Sequence, residues 1–172
     1  EEIDDPGFFT LPENGRIYRG WKKGGHKNVN LKKALLVSSN TYFFKLAYQS
    51  DMQELASYLA SFGFGTQVCG DCFNEDGAFL PTPDWKYNNL NTSWFTGDTV
   101  NIGVGQGYLV ATPMQLANYA SILANKGRAL TPSIAQSVRS DAVMQNNYQV
   151  SLGKKDWINL HDALTGVIES DL

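Results

Sequence analysis

The chain is poor in the residues that most often announce a site: it holds two cysteines and two histidines among 172 residues. His26 and His161 are too few and too far apart in sequence to supply most of a metal centre, which needs about four ligands. Neither histidine has a serine or cysteine partner in an elbow sequence, so a Ser-His-Asp triad is not expected. His161, next to Leu160 in an amphipathic stretch, reads as a surface or packing residue. An excess of one charge is also lacking. The 14 basic and 17 acidic residues leave a net charge of −3, which gives no electrostatic footprint for nucleic acid or an anionic membrane surface. No run of about 18 apolar residues and no charged-then-apolar leader occurs, so no membrane span or signal peptide is expected within this stretch. No internal repeat is visible. The six prolines and 16 glycines are scattered, which excludes collagen-like and low-complexity architectures. What is present is 42% hydrophobic and 12% aromatic residues, enough for one ordinary core in one globular domain or a piece of one.

The two cysteines form a C-x-x-C, Cys69-Gly70-Asp71-Cys72. Such a pair serves as half a zinc site, as a redox couple, or as a local structural pair, reduced or oxidised. Zinc lacks further ligands nearby, and a redox couple opens a helix, whereas Gly70, Asp71 and Asn74-Glu75-Asp76-Gly77 read as loop. A structural pair is the favoured reading, with its oxidation state open.

Residues 1–30 carry turn signals, Asp4-Asp5-Pro6-Gly7, Pro12-Glu13-Asn14-Gly15 and Gly24-Gly25, and little periodicity. Helical spacing begins at Leu31, with Leu35 and Leu36 on its side and Lys32 and Lys33 opposite, and resumes from Thr41 to Tyr48 with Phe44 and Ala47. Between them, Ser38-Ser39-Asn40 prefer caps and turns to helix interiors, which predicts a break between two helices with polar side chains free to project. Asp51-Met52-Gln53-Glu54 resembles a capping box, Leu55, Leu59 and Phe62 form an apolar face, and Gly63 supplies a left-handed stop. Residues 64–98 read mostly as loop; with Lys86 the lone nearby cation, its aromatics Trp85, Tyr87, Trp94 and Phe95 are expected to be buried rather than to stack bases. Thr112-Pro113-Met114-Gln115 is a strong helix start, followed by Leu116, Ala117, Ala120, Leu123 and Ala124 as an apolar face and Gly127 as a stop. Strand-like runs around 133–138 and 148–152 precede an amphipathic segment with Trp157, Leu160, Leu164, Val167 and Ile168. That segment is still helical in pattern at Leu172, and an uncapped end predicts a cut piece.

The run Gly103, Gly105, Gly107 lacks the third glycine of a dinucleotide fingerprint, because Tyr108 follows, and no G-K-[ST] is near. It reads as a close backbone approach beside a helix.

Ser38-x-Asn40 is a weak signal alone, but the stretch Ser38-Ser39-Asn40-Thr41-Tyr42-Phe43-Phe44-Lys45-Leu46-Ala47 resembles the middle active-site motif of class B penicillin-binding transpeptidases, where S-x-N opens an aromatic-rich helix. Tyr18-Arg19-Gly20-Trp21-Lys22-Lys23-Gly24-Gly25-His26 is similar to the segment before that motif in the elongation-specific members. Gly97 to Tyr108 and Ala111-Thr112-Pro113-Met114-Gln115-Leu116 are similar to the same family's G-x-G-Q-G and T-P-x-Q segments, and Asp5-Pro6-Gly7-Phe8 and Pro83-Asp84-Trp85-Lys86 also fit. The resemblance runs in order from about Asp5 to Pro132 and thins beyond Val138.

The resemblance implies an α/β fold of the serine β-lactamase-like kind, with helices around an antiparallel sheet, of which residues 1–172 are a partial transpeptidase domain and mainly its helical part. It implies serine acyl transfer between peptidoglycan stem peptides, inhibition by β-lactams, elongation-machinery partners, and a periplasmic domain anchored in the inner membrane by a helix outside this segment. A periplasmic setting would permit Cys69 and Cys72 to be oxidised. By the same resemblance, Ser38 is the proton-relay hydroxyl and Asn40 the substrate-holding amide. Asn101, Gly103, Gly105 and Gln106 are supporting backbone. The nucleophile motif S-x-x-K, expected before Ser38, and the K-T-G strand are missing, so the chain alone is expected to be inactive. Ser151-Leu152-Gly153-Lys154 has the S-x-x-K letters but lies after the S-x-N, and Gly153 breaks the turn that would align serine with lysine.

No cofactor is implied. Some relatives carry a zinc site near the S-x-N, built from two Asp, one His and a Cys in the middle of the triplet. Here Asp5 and His26 are available, but Gly20 stands where the second Asp would fall and Ser39 replaces the Cys, so no metal is expected. Two other readings compete: a non-catalytic penicillin-binding-like module that positions elongation-machinery partners, and an unrelated helical binding domain in which Ser-Ser-Asn is only a turn.

Overall fold

Two short antiparallel strand pairs, one nested between the strands of the other in sequence and neither announced by the turn-rich sequence of residues 1–30, precede the first helix. The computed structural model describes residues 2–134 and 148–169. Strand β1 (Glu2–Asp5) pairs with β4 (Lys27–Asn30), placing Ile3 opposite Val29 and Asp5 opposite Lys27. Strand β2 (Phe8–Thr10) pairs with β3 (Ile17–Arg19), Phe9 opposite Tyr18. Strands of three or four residues are too short to display a period-2 pattern. In β1 the inward positions are Ile3 and Asp5, so a carboxylate sits where alternation would show an apolar residue.

The described residues fall into two compact units, one drawn from Glu1–Asp51, Thr92–Gly107 and Ile158–Leu172, the other from Met52–Asn91 and Tyr108–Trp157. In the first, helix α1 (Leu31–Leu36) begins at Asn30, whose side chain accepts from the Lys33 N–H at 3.0 Å. Helix α2 (Asn40–Tyr48) follows the expected break at Ser38-Ser39. Its inner face joins two apolar clusters: Ile3, Val29, Ala34 and Tyr42, and Leu11, Tyr18, Phe44 and Val100. α2 also packs against helix α5 (Thr96–Ile102), whose first three residues lie in the stretch expected to be loop. The junction depends on Gly103: a Cβ there would overlap the Ala47 Cβ and lie 2.9 Å from the Phe43 carbonyl oxygen. The close backbone approach expected of the glycine run is therefore present.

The second unit holds α3 (Met52–Ser61), α4 (Pro83–Leu90), α6 (Pro113–Ala124), the strand pair β5 (Arg128–Ala129) and β6 (Tyr148–Gln149), and the first turn of α7 (Lys154–Glu169). α4 corrects the loop reading of residues 64–98. It carries no clear apolar stripe, and it is set by its ends: Thr82 Oγ1 accepts from the Trp85 N–H at 3.1 Å, Pro83 opens the first turn, and Asn91 stops it in the left-handed region. The expected burial of the aromatics holds only in part: Trp85 is half-buried, against Phe79 at 4.4 Å and Tyr108 at 5.5 Å, and Trp94 is half-buried, whereas Tyr87 and Phe95 are exposed; the buried member of the stretch is Lys86, with its Nζ over the Tyr108 ring.

The start of α6 is as read, a reciprocal capping box between Thr112 and Gln115. Its buried face is not. Gln115, Asn118 and Ile122 point inward, while Leu116 is 53% exposed and Ala117, Ala120 and Ala124 are exposed. The two polar residues are buried because each meets a backbone carbonyl: Gln115 Nε2 donates to Thr66 O and Gly77 O at 2.8 and 2.7 Å, and Asn118 Nδ2 to Phe62 O at 3.0 Å. Of the two strand-like runs, 148–152 yields β6, whereas 133–134 are not strand and 135–138 lie outside the described residues. α7 buries Trp157 and Ala163 and leaves Ile168 exposed; residues 170–172 lie outside the described part. Among the described residues no helix is long and apolar enough to cross a membrane.

Candidate functional site

The S-x-N corner lies wholly in the first unit and is built around the middle serine. Ser39 is the N-cap of α2, with extended backbone (φ −72°, ψ 100°), and its Oγ accepts from the Tyr42 N–H at 3.3 Å. Its N–H donates to Ala34 O at 2.9 Å, which ties the start of α2 back to α1. The side chain is 1% exposed and donates to Asp5 Oδ2 at 2.7 Å. A cap whose own hydroxyl is bonded on both sides fixes the entry of the helix.

This inward turn of Ser39 leaves its neighbours facing the other way. Ser38 is exposed and Asn40, the first residue of α2, is half-buried. Ser38 adopts φ +50°, a left-handed conformation that a serine holds only when its surroundings compel it. The surroundings here include Trp21, whose indole Nε1–H is shared between the Val37 and Ser38 carbonyl oxygens at 3.0 and 3.1 Å.

Asp5 anchors the corner from β1. Oδ1 accepts from the Gly7 N–H at 2.8 Å, and Oδ2 accepts both from Ser39 and from His26 Nδ1, the latter at 2.9 Å. Because an ionised carboxylate only accepts, His26 carries its proton on Nδ1. The His26 ring packs on Trp21 with centroids 5.4 Å apart. Gly25, at φ +65°, brings the chain past Asp5 so closely that a Cβ would collide with the Asp5 carbonyl oxygen. Burial pushes the Asp5 carboxyl upward, but the hydrogen bonds from His26, Ser39 and the Gly7 N–H prevail and hold its pKa below the ordinary value.

The residues do not fit a zinc ion at this corner. Asp5 and His26 are the two zinc-type donors, and they are spent on each other; Ser39 offers a hydroxyl that is already bonded to the same carboxylate oxygen. Gly20 offers no donor, and a side chain there would begin 3.3 Å from Thr41 Oγ1 and 3.4 Å from Gly7 O. Among the described residues, the grouping that comes nearest to a metal set is Cys69, Asp71 and Cys72 in the second unit. There the two sulfurs are joined in a disulfide.

The other sequence candidates fall as follows. Ser151 and Lys154 straddle the start of α7, with Ser151 and Gly153 outside the helix, so no turn aligns them. Asn101 serves through its carbonyl oxygen, which accepts from the Val104 and Gln106 N–H groups at 3.2 and 3.0 Å. Gly105 lies in the left-handed region in the turn that follows. His161, on α7, is half-buried. Trp21 was not singled out in the sequence, since nothing there shows that its indole reaches the Ser38 carbonyl.

Residues 1–171 match a family described as the penicillin binding protein transpeptidase domain, and the chain belongs to that family. Its relatives narrow the class. The chain is 39% identical over 136 residues to the peptidoglycan D,D-transpeptidase MrdA of Haemophilus influenzae, covering 79% of this chain and 21% of that protein. Its fold is similar to part of the Pseudomonas aeruginosa PBP2 solved in complex with WCK 5153, with a TM-score of 0.93, 32% identity, and coverage of 99% of this chain and 38% of that one. A Helicobacter pylori PBP2 solved in complex with MreC is also similar, at TM-score 0.82 and 30% identity over 97% of this chain and 29% of that one. The chain thus spans between 21% and 26% of the length of the curated MrdA relatives from Haemophilus influenzae and Acinetobacter baumannii. The α/β class and the penicillin-binding fold implied by the sequence resemblance are those observed.

Proposed function

We propose that this chain is the S-x-N-bearing part of a peptidoglycan D,D-transpeptidase of cell elongation, which cross-links stem peptides by serine acyl transfer and is inhibited by β-lactams. The observation that carries the reading is the helix break itself: an exposed Ser38 and a half-buried Asn40 flank a Ser39 that is buried and fully bonded. Ser39 cannot offer a free hydroxyl, so the polar groups available to a substrate at this corner are those of Ser38 and Asn40.

A serine is a weak nucleophile at its ordinary pKa and needs a base to take its proton. In this reading the nucleophile and its lysine come from an S-x-x-K outside these 172 residues, one helical turn apart on one face. The Ser38 hydroxyl relays the proton between them, and the Asn40 amide holds the donor peptide. The nucleophile attacks the penultimate D-alanine carbonyl, D-alanine leaves, and an amine from another strand resolves the acyl-enzyme. A K-T-G strand, also outside, binds the substrate carboxylate and helps to stabilise the oxyanion. The chain by itself is inactive because the attacking serine is elsewhere. By likeness to the PBP2 that forms a complex with MreC, its partners are proteins of the elongation machinery. Its setting is the periplasmic face of the inner membrane.

The test is made on the complete protein that carries this chain. Ser38→Ala and Asn40→Ala are each expected to slow acylation by a fluorescent penicillin by about a hundredfold or more, with the thermal midpoint unchanged. Acylation within about twofold of the native rate in both variants contradicts the reading.

A further inference from the structure

We propose that Asp5 is a positioning residue for the Ser38 and Asn40 pair, acting through the Ser39 hydroxyl in a metal-free clamp that joins Asp5, His26 and Ser39. The inference rests on the reading of Ser38 and Asn40 as the relay and substrate-holding groups.

Ser38 sits in a left-handed conformation that relaxes unless its neighbours over-determine it. Two holds bear on it. On one side the Trp21 indole grips the Val37 and Ser38 carbonyl oxygens. On the other, the Ser39 hydroxyl is fixed to Asp5 Oδ2, so residue 39 points inward and residues 38 and 40 are aimed away from it. His26 connects the two holds, since its Nδ1 bonds the same Asp5 oxygen while its ring lies on Trp21. Asp5 is itself immobilised by the Gly7 N–H, by its ladder position opposite Lys27, and by the passage of Gly25 against its carbonyl.

Hydrogen-bond counting supports a positioning rather than a chemical role. Ser39 Oγ gives its proton to Asp5 and accepts the Tyr42 N–H, while Asp5 Oδ2 accepts from two donors and Oδ1 from one. Asp5 is 2% exposed and reaches the Ser38–Asn40 segment through the Ser39 hydroxyl. A buried, fully bonded network of this kind specifies one geometry. It does with three side chains what a coordinated ion would do with four ligands.

The test is a double-mutant cycle in the complete protein, reading the second-order rate of acylation by a fluorescent penicillin at a temperature where melting curves show every variant folded. Asp5→Asn, which keeps the size of the side chain but loses one acceptor, is expected to slow acylation by about ten- to a hundredfold. In a Ser38→Ala/Asn40→Ala background the same change is expected to cost less than about threefold, because its effect passes through residues 38 and 40. A rate for Asp5→Asn within about twofold of native, or an equal loss in both backgrounds, overturns the clamp. If Asp5→Asn does not fold, Ser39→Ala enters the same cycle with the same expectations. Should Ser38→Ala and Asn40→Ala slow acylation while Asp5→Asn and Ser39→Ala do not, the clamp fails and the proposed function stands. Should Ser38→Ala and Asn40→Ala have no effect, the proposed function itself fails.

Discussion

The Asp5 carboxylate and the Ser39 hydroxyl, 34 residues apart in sequence, meet at 2.7 Å in the interior of the first unit. That contact joins the first strand to the cap of the helix that opens with Asn40. Replacing Ser39 by alanine removes a helix cap and leaves a buried carboxylate oxygen with one donor fewer. The expected loss of stability is about 1–3 kcal/mol, read as a lower urea midpoint with an unchanged slope. A change below about 0.5 kcal/mol would show that the cap and the carboxylate contact are dispensable.

Asp5 also gives the fold an acid sensitivity of defined sign. Its folded pKa lies below its unfolded one, so its contribution is present above the unfolded value and is lost as pH falls through the folded value. The thermal midpoint of the complete protein is expected to drop as pH is lowered from about 4, and Asp5→Asn is expected to flatten that part of the curve. Identical acid limbs for the two proteins would contradict this.

Only part of this arrangement is legible in the sequence. The break at Ser38-Ser39-Asn40, the Thr112-Gln115 box and the stops at Gly63 and Gly127 were readable because capping chemistry is local. The four strands before residue 31 were not, because each is three or four residues long and β1 hides a carboxylate on its inner face. Helix α4 was missed although Thr82-Pro83 repeats the signature of Thr112-Pro113; its residues lack the apolar spacing that drew attention to α6. The face of α6 was misread because Gln115 and Asn118 are buried by hydrogen bonds to carbonyls far along the chain, which no periodicity encodes. At the site, the residue types were visible in order, but the bond from Asp5 to Ser39 and the grip of Trp21 on Ser38 are products of the fold.

Gly103 offers a sharp packing test. A methyl group there meets the Ala47 side chain and the Phe43 carbonyl, so Gly103→Ala is expected to destabilise the fold by about 1–3 kcal/mol through separation of α2 and α5. Gly105, where an added Cβ would meet nothing within 4 Å, serves as a comparison in which any loss from an alanine arises from backbone conformation alone.

The clamp of Asp5, His26 and Ser39 leads to an expectation about metal. Elemental analysis of the purified protein is expected to return no stoichiometric zinc, and a chelator is expected to leave penicillin acylation unchanged. One zinc per chain, lost together with acylation on chelation, would contradict the clamp.

The Cys69–Cys72 bridge closes a short loop, so reducing it returns little entropy to the unfolded chain, about 2 kcal/mol at most. Reduction is expected to lower stability by no more than that and to leave the acylation rate as it was. A larger loss, or a loss of acylation, would give the bridge a role in the site.

The most direct measurement is peptide mapping of the complete protein after reaction with penicillin. The covalent adduct is expected on a serine of an S-x-x-K outside these 172 residues, with a rate that falls when Ser38 or Asn40 is changed to alanine. An adduct on Ser151, or acylation indifferent to both Ser38 and Asn40, would contradict the account.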